Sequence, residues 1–199
     1  MNMKTIEACE VIQQTAPDAI YVTTMGAMNG MDKLEVDVLS VACVPLMGGA
    51  ASLGLGIALA RPDKTVLVLD GDASLLMELG GLVTVAQAAP ENFLHVVFNN
   101  SIQFSGLGNL ETPGSAVADF PAMAKAAGYR STWRFASVDE LTQQLPGILA
   151  GPAPAFIELA VESEVPKLGT DFPAVEMTDA RFTRMGDELR RIRAALAVV

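Results

Sequence analysis

Apolar residues along this chain fall into two alternating patterns. Runs of Val, Leu and Ile without polar interruption predict strands over 19–24, 38–43, 65–70, 94–99, 132–135 and 155–161. Between them, apolar positions at helical spacing predict helices over 3–14, 47–60, 74–89, 119–127, 138–149 and 179–197. Strands lacking polar alternation are covered on both faces, which implies a mostly parallel sheet. The expected fold class is therefore α/β, doubly wound, with helices on both faces of the sheet. Segments 99–118 and 162–178, rich in Gly, Pro and Ser, read as irregular. Ligands of open α/β sheets bind beyond the carboxyl ends of the strands, so the sequence there is the first place to look for chemistry.

Composition narrows the picture. About half of the 199 residues are apolar, enough for one substantial core, so residues 1–199 are expected to form a single domain. A formal charge of -10 argues against nucleic acid or an anionic membrane as partner. The basic run "ELRRIRAAL" reads as the solvated face of a terminal helix. Cys9 and Cys43 stand far apart without CxxC spacing, so no disulfide framework or zinc site is suggested, and a reducing cytoplasm is expected. No secretory leader pattern opens the sequence. Residues 38–60 carry no charge over a length that could span a bilayer, but Pro45, the Gly48-Gly49 pair and Gly54-x-Gly56 fit a buried strand, a turn and a closely packed helix better.

Two predicted strands end in unusual chemistry. "VLVLDGDASLLMEL" stops at Asp72, and "LHVVFNNSIQF" stops at Asn99-Asn100. Each cluster alone reads as chain reversal. Together they suggest more. Ser74 can cap the following helix, whose first free N–H groups favour a phosphate, and a carboxylate beside that anion requires a cation between them. Mg²⁺ takes about six oxygens, one or two of them from protein carboxylates. Asp72 can give the anionic ligand, Asn100 an amide oxygen and Ile102 a backbone carbonyl.

The quartet Gly71-Asp72-Ala73-Ser74, followed after 25 residues by Asn99-Asn100, resembles the thiamine diphosphate fingerprint. The resemblance implies the thiamine diphosphate-binding fold, with Asp72, Asn100 and the Ile102 carbonyl on Mg²⁺ and the Ala73 and Ser74 amides on the cofactor diphosphate. Ala73 departs from the family, which usually has Gly there, so its methyl must still let phosphate approach the backbone. Upstream, "VPLMGGAASLGLGIALARPDKTVLVLDGD" is similar to the family segment that supports the bent cofactor. By position Met47 would be the wedge between the two rings, a task that suits an adaptable side chain. The Pro45 carbonyl would accept from the pyrimidine amino group. Downstream, "NNSIQFSGLGN" and "DFPAMAKAAGY" are similar to the two-subunit sulfopyruvate decarboxylases and the related phosphonopyruvate decarboxylases. The resemblance spans about residues 19–161.

Thr24, Gly26 and Asn29, after the first strand, could touch diphosphate from the other side, or serve turn chemistry alone. Gln103, Ser105 and Asn109 are the polar residues of the loop expected to border the reacting carbon, with Ser105 a further cofactor contact; no Arg or Lys there offers an anion clamp. His95 reads as a satisfied core residue, and "GLGIALA" only mimics a dinucleotide turn.

The family activates the cofactor with a glutamate carried by a separate pyrimidine-binding domain. One domain uses up this chain, so the resemblance implies a heteromer, α2β2 or larger, in which a partner subunit supplies that glutamate. The expected activity is decarboxylation of a small 2-oxoacid, sulfopyruvate or phosphonopyruvate, by a lyase subunit inactive without its partner. A carboligase or oxidoreductase subunit, and a non-catalytic cofactor-binding subunit, stay open. Should the chain act alone, Glu78 is the first base to test.

Overall fold

In the computed structural model, which describes residues 3–43, 46–105, 108–164 and 178–197, the apolar runs become a six-stranded sheet. The strands in chain order are β1 (Ile20–Thr23), β2 (Leu39–Ala42), β3 (Val66–Gly71), β4 (Phe93–Asn99), the short β5 (Ile102–Gln103) and β6 (Leu110–Glu111), then β7 (Ser131–Phe135) and β8 (Ala155–Ala160). The main sheet runs β2-β1-β3-β4-β8-β7 with every neighbouring pair parallel. Strands β5 and β6 form a separate antiparallel pair. The helices are α1 (Thr5–Thr15), α2 (Met25–Lys33), α3 (Ala50–Ala60), α4 (Asp72–Met77), α5 (Gly81–Ala88), α6 (Phe120–Ala127), α7 (Val138–Leu149) and α8 (Thr178–Leu196).

Alternate residues of each strand feed two cores. Tyr21, Leu67, Leu69 and Val96 meet α1, α2 and α7 through Cys9, Ile12, Met31, Leu141 and Leu145. Val22, Val68, Val97 and Phe156 meet α3, α5, α6 and α8 through Leu55, Leu82, Val85, Ala124 and Ile192. The doubly wound α/β expectation is met. The chain leaves β1 over one face to reach β2, then returns over the other face to β3, on the far side of β1. The carboxyl ends of β1 and β3 therefore flank a switch point, where a crevice is expected.

Four elements differ from the sequence pattern. Helix α2 stands where no element was expected; Gly26 and Gly30 weaken its helical signal. Gly30 is there because a Cβ would lie 2.7 Å from Cys9 Sγ, so α1 and α2 pack too closely for a side chain. Helix α3 begins at Ala50 rather than Met47, because 46–49 turn first: the Gly49 N–H donates to the Leu46 carbonyl at 3.0 Å, and Gly48 adopts φ +92°. The helix expected over 74–89 is broken into α4 and α5 at Glu78, whose backbone turns out of the helix just before Gly80-Gly81. The β5–β6 hairpin lies in a segment expected to be irregular.

Gly54 explains the "GLGIALA" pattern: a Cβ there would lie 2.3 Å from Val68 Cγ2, so α3 rides directly on β3. At the sheet edge α8 covers β2, with the Glu188 carboxylate accepting from the Ala42 N–H at 2.7 Å, which satisfies a backbone donor the sheet leaves open. Among the described residues, no helix is long and apolar enough to cross a membrane.

Candidate active site

The ends of β1, β3 and β4 bring the fingerprint together. Helix α4 follows β3 without a linking loop; Gly71 is its N-cap and Asp72 its first residue. Ser74 is thus not the cap that its position suggested. Its buried hydroxyl instead accepts from the Gly48 N–H at 2.8 Å. This bond ties α4 to the turn that carries Met47, itself half-buried. A Cβ on Gly48 would meet Glu78 Cβ at 2.9 Å, so the turn is also pressed against the α4–α5 break. Glu78 itself is exposed. Pro45 lies outside the described residues.

Asp72 is 2% exposed, and its Oδ2 has no hydrogen-bond partner. Burial holds its carboxyl above the ordinary range, outweighing the Thr112 hydroxyl and the Ala73, Asp72 and Ser101 amides that favour the anion. Thr112 Oγ1 is close enough to act on that charge, yet it too lacks a hydrogen-bond partner. An anionic oxygen left this way in a native protein is costly unless a cation completes it. Gly71 and Gly26 stand at the ends of β3 and α2's first turn, and a Cβ on either would meet no heavy atom within 4 Å. Ala73 is buried, as is Thr24. Thr24 is committed to the scaffold: its hydroxyl donates to the Cys43 carbonyl at 3.1 Å and its N–H to Leu69 at 3.0 Å.

Asn100 is half-buried at the end of β4, and its Oδ1 accepts from the Ile102 N–H at 3.0 Å. A second lone pair of that oxygen stays available. Ile102 starts the hairpin, Gln103 donates from Nε2 to the Glu111 carbonyl at 3.1 Å, and Ser105 is exposed. Ser101, Phe104 and Asn109 all take left-handed backbone angles, φ 60°, 53° and 48°, in a loop that bends sharply without glycine at those positions.

Behind this surface lies His95, a satisfied core residue as its apolar strand suggests, with partners the sequence reading missed. Asp70, 1% exposed, accepts from the Gly71 N–H at 2.8 Å through Oδ1, and its Oδ2 lies 3.1 Å from His95 Nε2. His95 Nδ1 is 3.3 Å from the Tyr129 hydroxyl. An ionised Asp70 can only accept, so Nε2 carries a proton, and in the neutral imidazole Nδ1 then accepts from the Tyr129 hydroxyl. The chain from Tyr129 to the Gly71 amide is fully bonded, and burial raises the phenol far above its usual range. Asp70 and Glu158 were visible as carboxylates inside otherwise apolar strands. Thr112, beyond the hairpin, left no such signal.

The model of a known family, "Thiamine pyrophosphate enzyme, C-terminal TPP binding domain", matches residues 35–159. The chain is 31% identical over 173 residues to the sulfopyruvate decarboxylase subunit beta of Methanothermobacter thermautotrophicus, covering 86% of this chain and 90% of that one. It is 47% identical over 118 residues to a phosphonopyruvate decarboxylase of Streptomyces hygroscopicus, which is 59% of this chain but 29% of that protein, so it spans under a third of the latter. In solved structures it resembles a thiamine diphosphate-dependent 4-hydroxybenzoylformate decarboxylase from Rhodococcus jostii, with TM-score 0.67 and 24% identity over 81% of this chain and 33% of the other. That last likeness is one of fold.

Proposed function

We propose, from the premise that the chain belongs to the thiamine pyrophosphate enzyme family through the C-terminal TPP binding domain, that it is the diphosphate- and magnesium-binding subunit of a two-subunit 2-oxoacid decarboxylase. The observation that carries this reading is the Asp72 carboxylate oxygen, buried without a partner beside the open face of Gly71. The donor set fits the ion. A hard dication that retains waters and phosphate oxygens needs one carboxylate and a few neutral oxygens, not a cluster, and among the described residues no three or more His, Cys, Asp or Glu are grouped so as to hold a metal ion. Asp72, Asn100 and the Ile102 carbonyl would hold Mg²⁺. The Ala73 and Ser74 amides would hold the diphosphate, with Gly71, Gly26 and Ser105 bordering it and Thr24 bracing the end of β1. Helix α4 has only six residues, so its contribution is the two amides themselves rather than a long helix dipole.

Thiamine diphosphate, once bound, would supply a nucleophilic ring carbon and a cationic ring able to accept the electron pair released by decarboxylation. This chain's residues bind and orient. Met47 would fill the angle between the cofactor rings, and the Ser74–Gly48 bond would fix it relative to the diphosphate site. The glutamate that activates the pyrimidine would come from the partner. Support for a partner comes from exposed apolar residues at and near this turn: Leu46, about 60% exposed, beside Gly49, and Met77, whose backbone lies against Gly48, with Leu79 and Val83 also exposed further along the same segment. Relatives named as beta subunits support the same reading. Sulfopyruvate and phosphonopyruvate are the substrates those relatives' names suggest, and two buried free cysteines suit a reducing cytoplasm.

Calorimetry tests the reading. Thiamine diphosphate should bind this chain with Mg²⁺ and not without it, and decarboxylation of a 2-oxoacid should appear only once a pyrimidine-domain subunit is added. Equal affinity with and without Mg²⁺, or full turnover by the chain alone, would overturn it.

A further inference from the structure

Strand β8 carries Glu158, 3% exposed, in an otherwise apolar run. It sits directly opposite Arg134 of β7 and Val97 of β4. Oε2 accepts from Arg134 Nε at 2.8 Å, and Oε1 accepts from Asn99 Nδ2 at 2.8 Å. Arg134 Nη2 reaches on to Asp119 Oδ1 at 2.8 Å, and that same oxygen caps α6 by accepting from the Ala122 N–H at 3.2 Å. The line of bonds thus crosses the sheet from the start of α6 to the end of β4.

What Glu158 does to Asn99 follows from donor and acceptor chemistry. A carboxylate can only accept, so the Asn99 amide must turn its NH₂ towards Glu158. Its Oδ1 is then forced to face the loop, where it accepts from Ser101 N at 3.2 Å and from Ser101 Oγ at 3.3 Å. Ser101 is a non-glycine residue at φ 60°, a conformation that persists only where its surroundings over-determine it. Its carbonyl accepts from the Thr112 N–H at 2.9 Å, which docks the hairpin. Asn100 and Ile102 are the residues on either side.

We propose that Glu158 is a positioning residue for the Asn100–Ile102 loop, acting through the enforced orientation of the Asn99 amide. This rests on the reading of Asn100 and Ile102 as ligands of the cofactor-bound Mg²⁺. An apolar residue could fill the same space in β8 and often would stabilise a fold as well as a buried ion pair does. The carboxylate does what an apolar residue there could not, since only an acceptor at this point sets Asn99.

The test measures thiamine diphosphate affinity with Mg²⁺ and amide hydrogen exchange at Ser101 and Ile102 in the ligand-free chain. Glu158→Ala and Asn99→Ala should each weaken binding about tenfold, equivalent to about 1.4 kcal/mol. Both should speed exchange at the two amides. The double variant should be no weaker than either single one, because both cut the same line. Glu158→Gln offers one acceptor oxygen to two donors, Arg134 Nε and Asn99 Nδ2. Alone it should lose affinity, because the guanidinium claims that oxygen and the amide NH₂ faces Asn99; made together with Arg134→Leu it frees the oxygen for Asn99 and should restore affinity to within about threefold of the parent and slow exchange again. If Glu158→Ala does not fold, Asn99→Ala, at a half-buried strand end, carries the same comparison with Glu158→Gln/Arg134→Leu. Parental affinity and exchange in folded Glu158→Ala or Asn99→Ala, or full additivity of those two substitutions, would overturn the proposal. The control Asp72→Ala separates the two readings: if it binds cofactor like the parent, the metal assignment falls, while exchange at Ser101 still judges Glu158.

Discussion

The two strand ends that build the site are made differently. At the end of β3 the chain passes straight into α4, Asp72 is buried, and the support behind it is Asp70, His95 and Tyr129, all within the core. At the end of β4 the chain enters a loop with three left-handed non-glycine residues, Asn100 is half-buried, and the support is the lateral line through Glu158 to a half-exposed arginine. The first end presents an oxygen that nothing satisfies. The second presents one already engaged with its own loop at Ile102. Under the proposed function one side would receive a cation and the other would share an oxygen with it, so the two should respond to substitution on different scales and through different observables.

The largest effect belongs to Asp72→Ala. Asp72 is the one charged ligand in the proposed set, so its removal should weaken Mg²⁺-dependent thiamine diphosphate binding by more than about a hundredfold, or roughly 2.7 kcal/mol, with the fold retained. Calorimetry at saturating Mg²⁺ checks this, and a change below tenfold would erase the contrast between the two ends.

Next comes the support behind β3. His95→Leu leaves Asp70 Oδ2 and the Tyr129 hydroxyl buried without partners, and losing a hydrogen bond to a charged group costs roughly 2–3 kcal/mol. Urea unfolding should show this loss, while cofactor affinity in the folded fraction stays within about threefold, since the Gly71–Asp70 bond survives. An affinity loss without a stability loss would mean that the core behind β3 serves the site rather than the fold.

Asn100→Ala should be milder. The lost ligand is neutral and water can replace it, so binding should fall only about tenfold. An effect as large as that of Asp72→Ala would show that both ends are set alike.

The difference between the ends also accounts for what could be read from sequence. The strands of the sheet are buried on both faces, and an uninterrupted apolar run carries that fact in the residues themselves, so the sheet and its doubly wound class were legible. So was the placing of Asp72 and Asn100 at the ends of two strands, though only the pairing of β3 with β4, Gly71 opposite Phe98, brings those ends side by side. What local pattern could not carry were contacts between distant segments. Gly30 is explained by Cys9, Ser74 by Gly48, and Asn99 by Glu158. Each partner lies many residues away, and only the fold pairs them. Ser74 shows the cost: its place after a strand suggested a cap, whereas the helix had already begun at Asp72, leaving the hydroxyl free to hold the Met47 turn.

The smallest effect runs in the opposite direction from the others. Burial raises the Asp72 carboxyl above its unfolded value, so in the metal-free protein the folded state holds the proton more tightly than the unfolded one. The contribution of this group to stability is therefore fully present below the unfolded carboxylate range and is lost as pH rises through the raised value. Above that raised value the metal-free chain carries an ionised, incompletely bonded carboxylate, which Mg²⁺ would relieve. Asp72→Asn removes the charge and keeps the shape. Above the raised value it should lift the metal-free Tm by a few degrees, while binding of thiamine diphosphate with Mg²⁺ is lost. The Tm advantage should shrink as pH falls, vanishing once the native Asp72 is itself protonated. Scanning calorimetry of both proteins in chelator, from acid to alkaline pH, decides it: a Tm for Asp72→Asn equal to or below the parent's at every pH would mean that Asp72 is held by the fold and not in waiting for a cation.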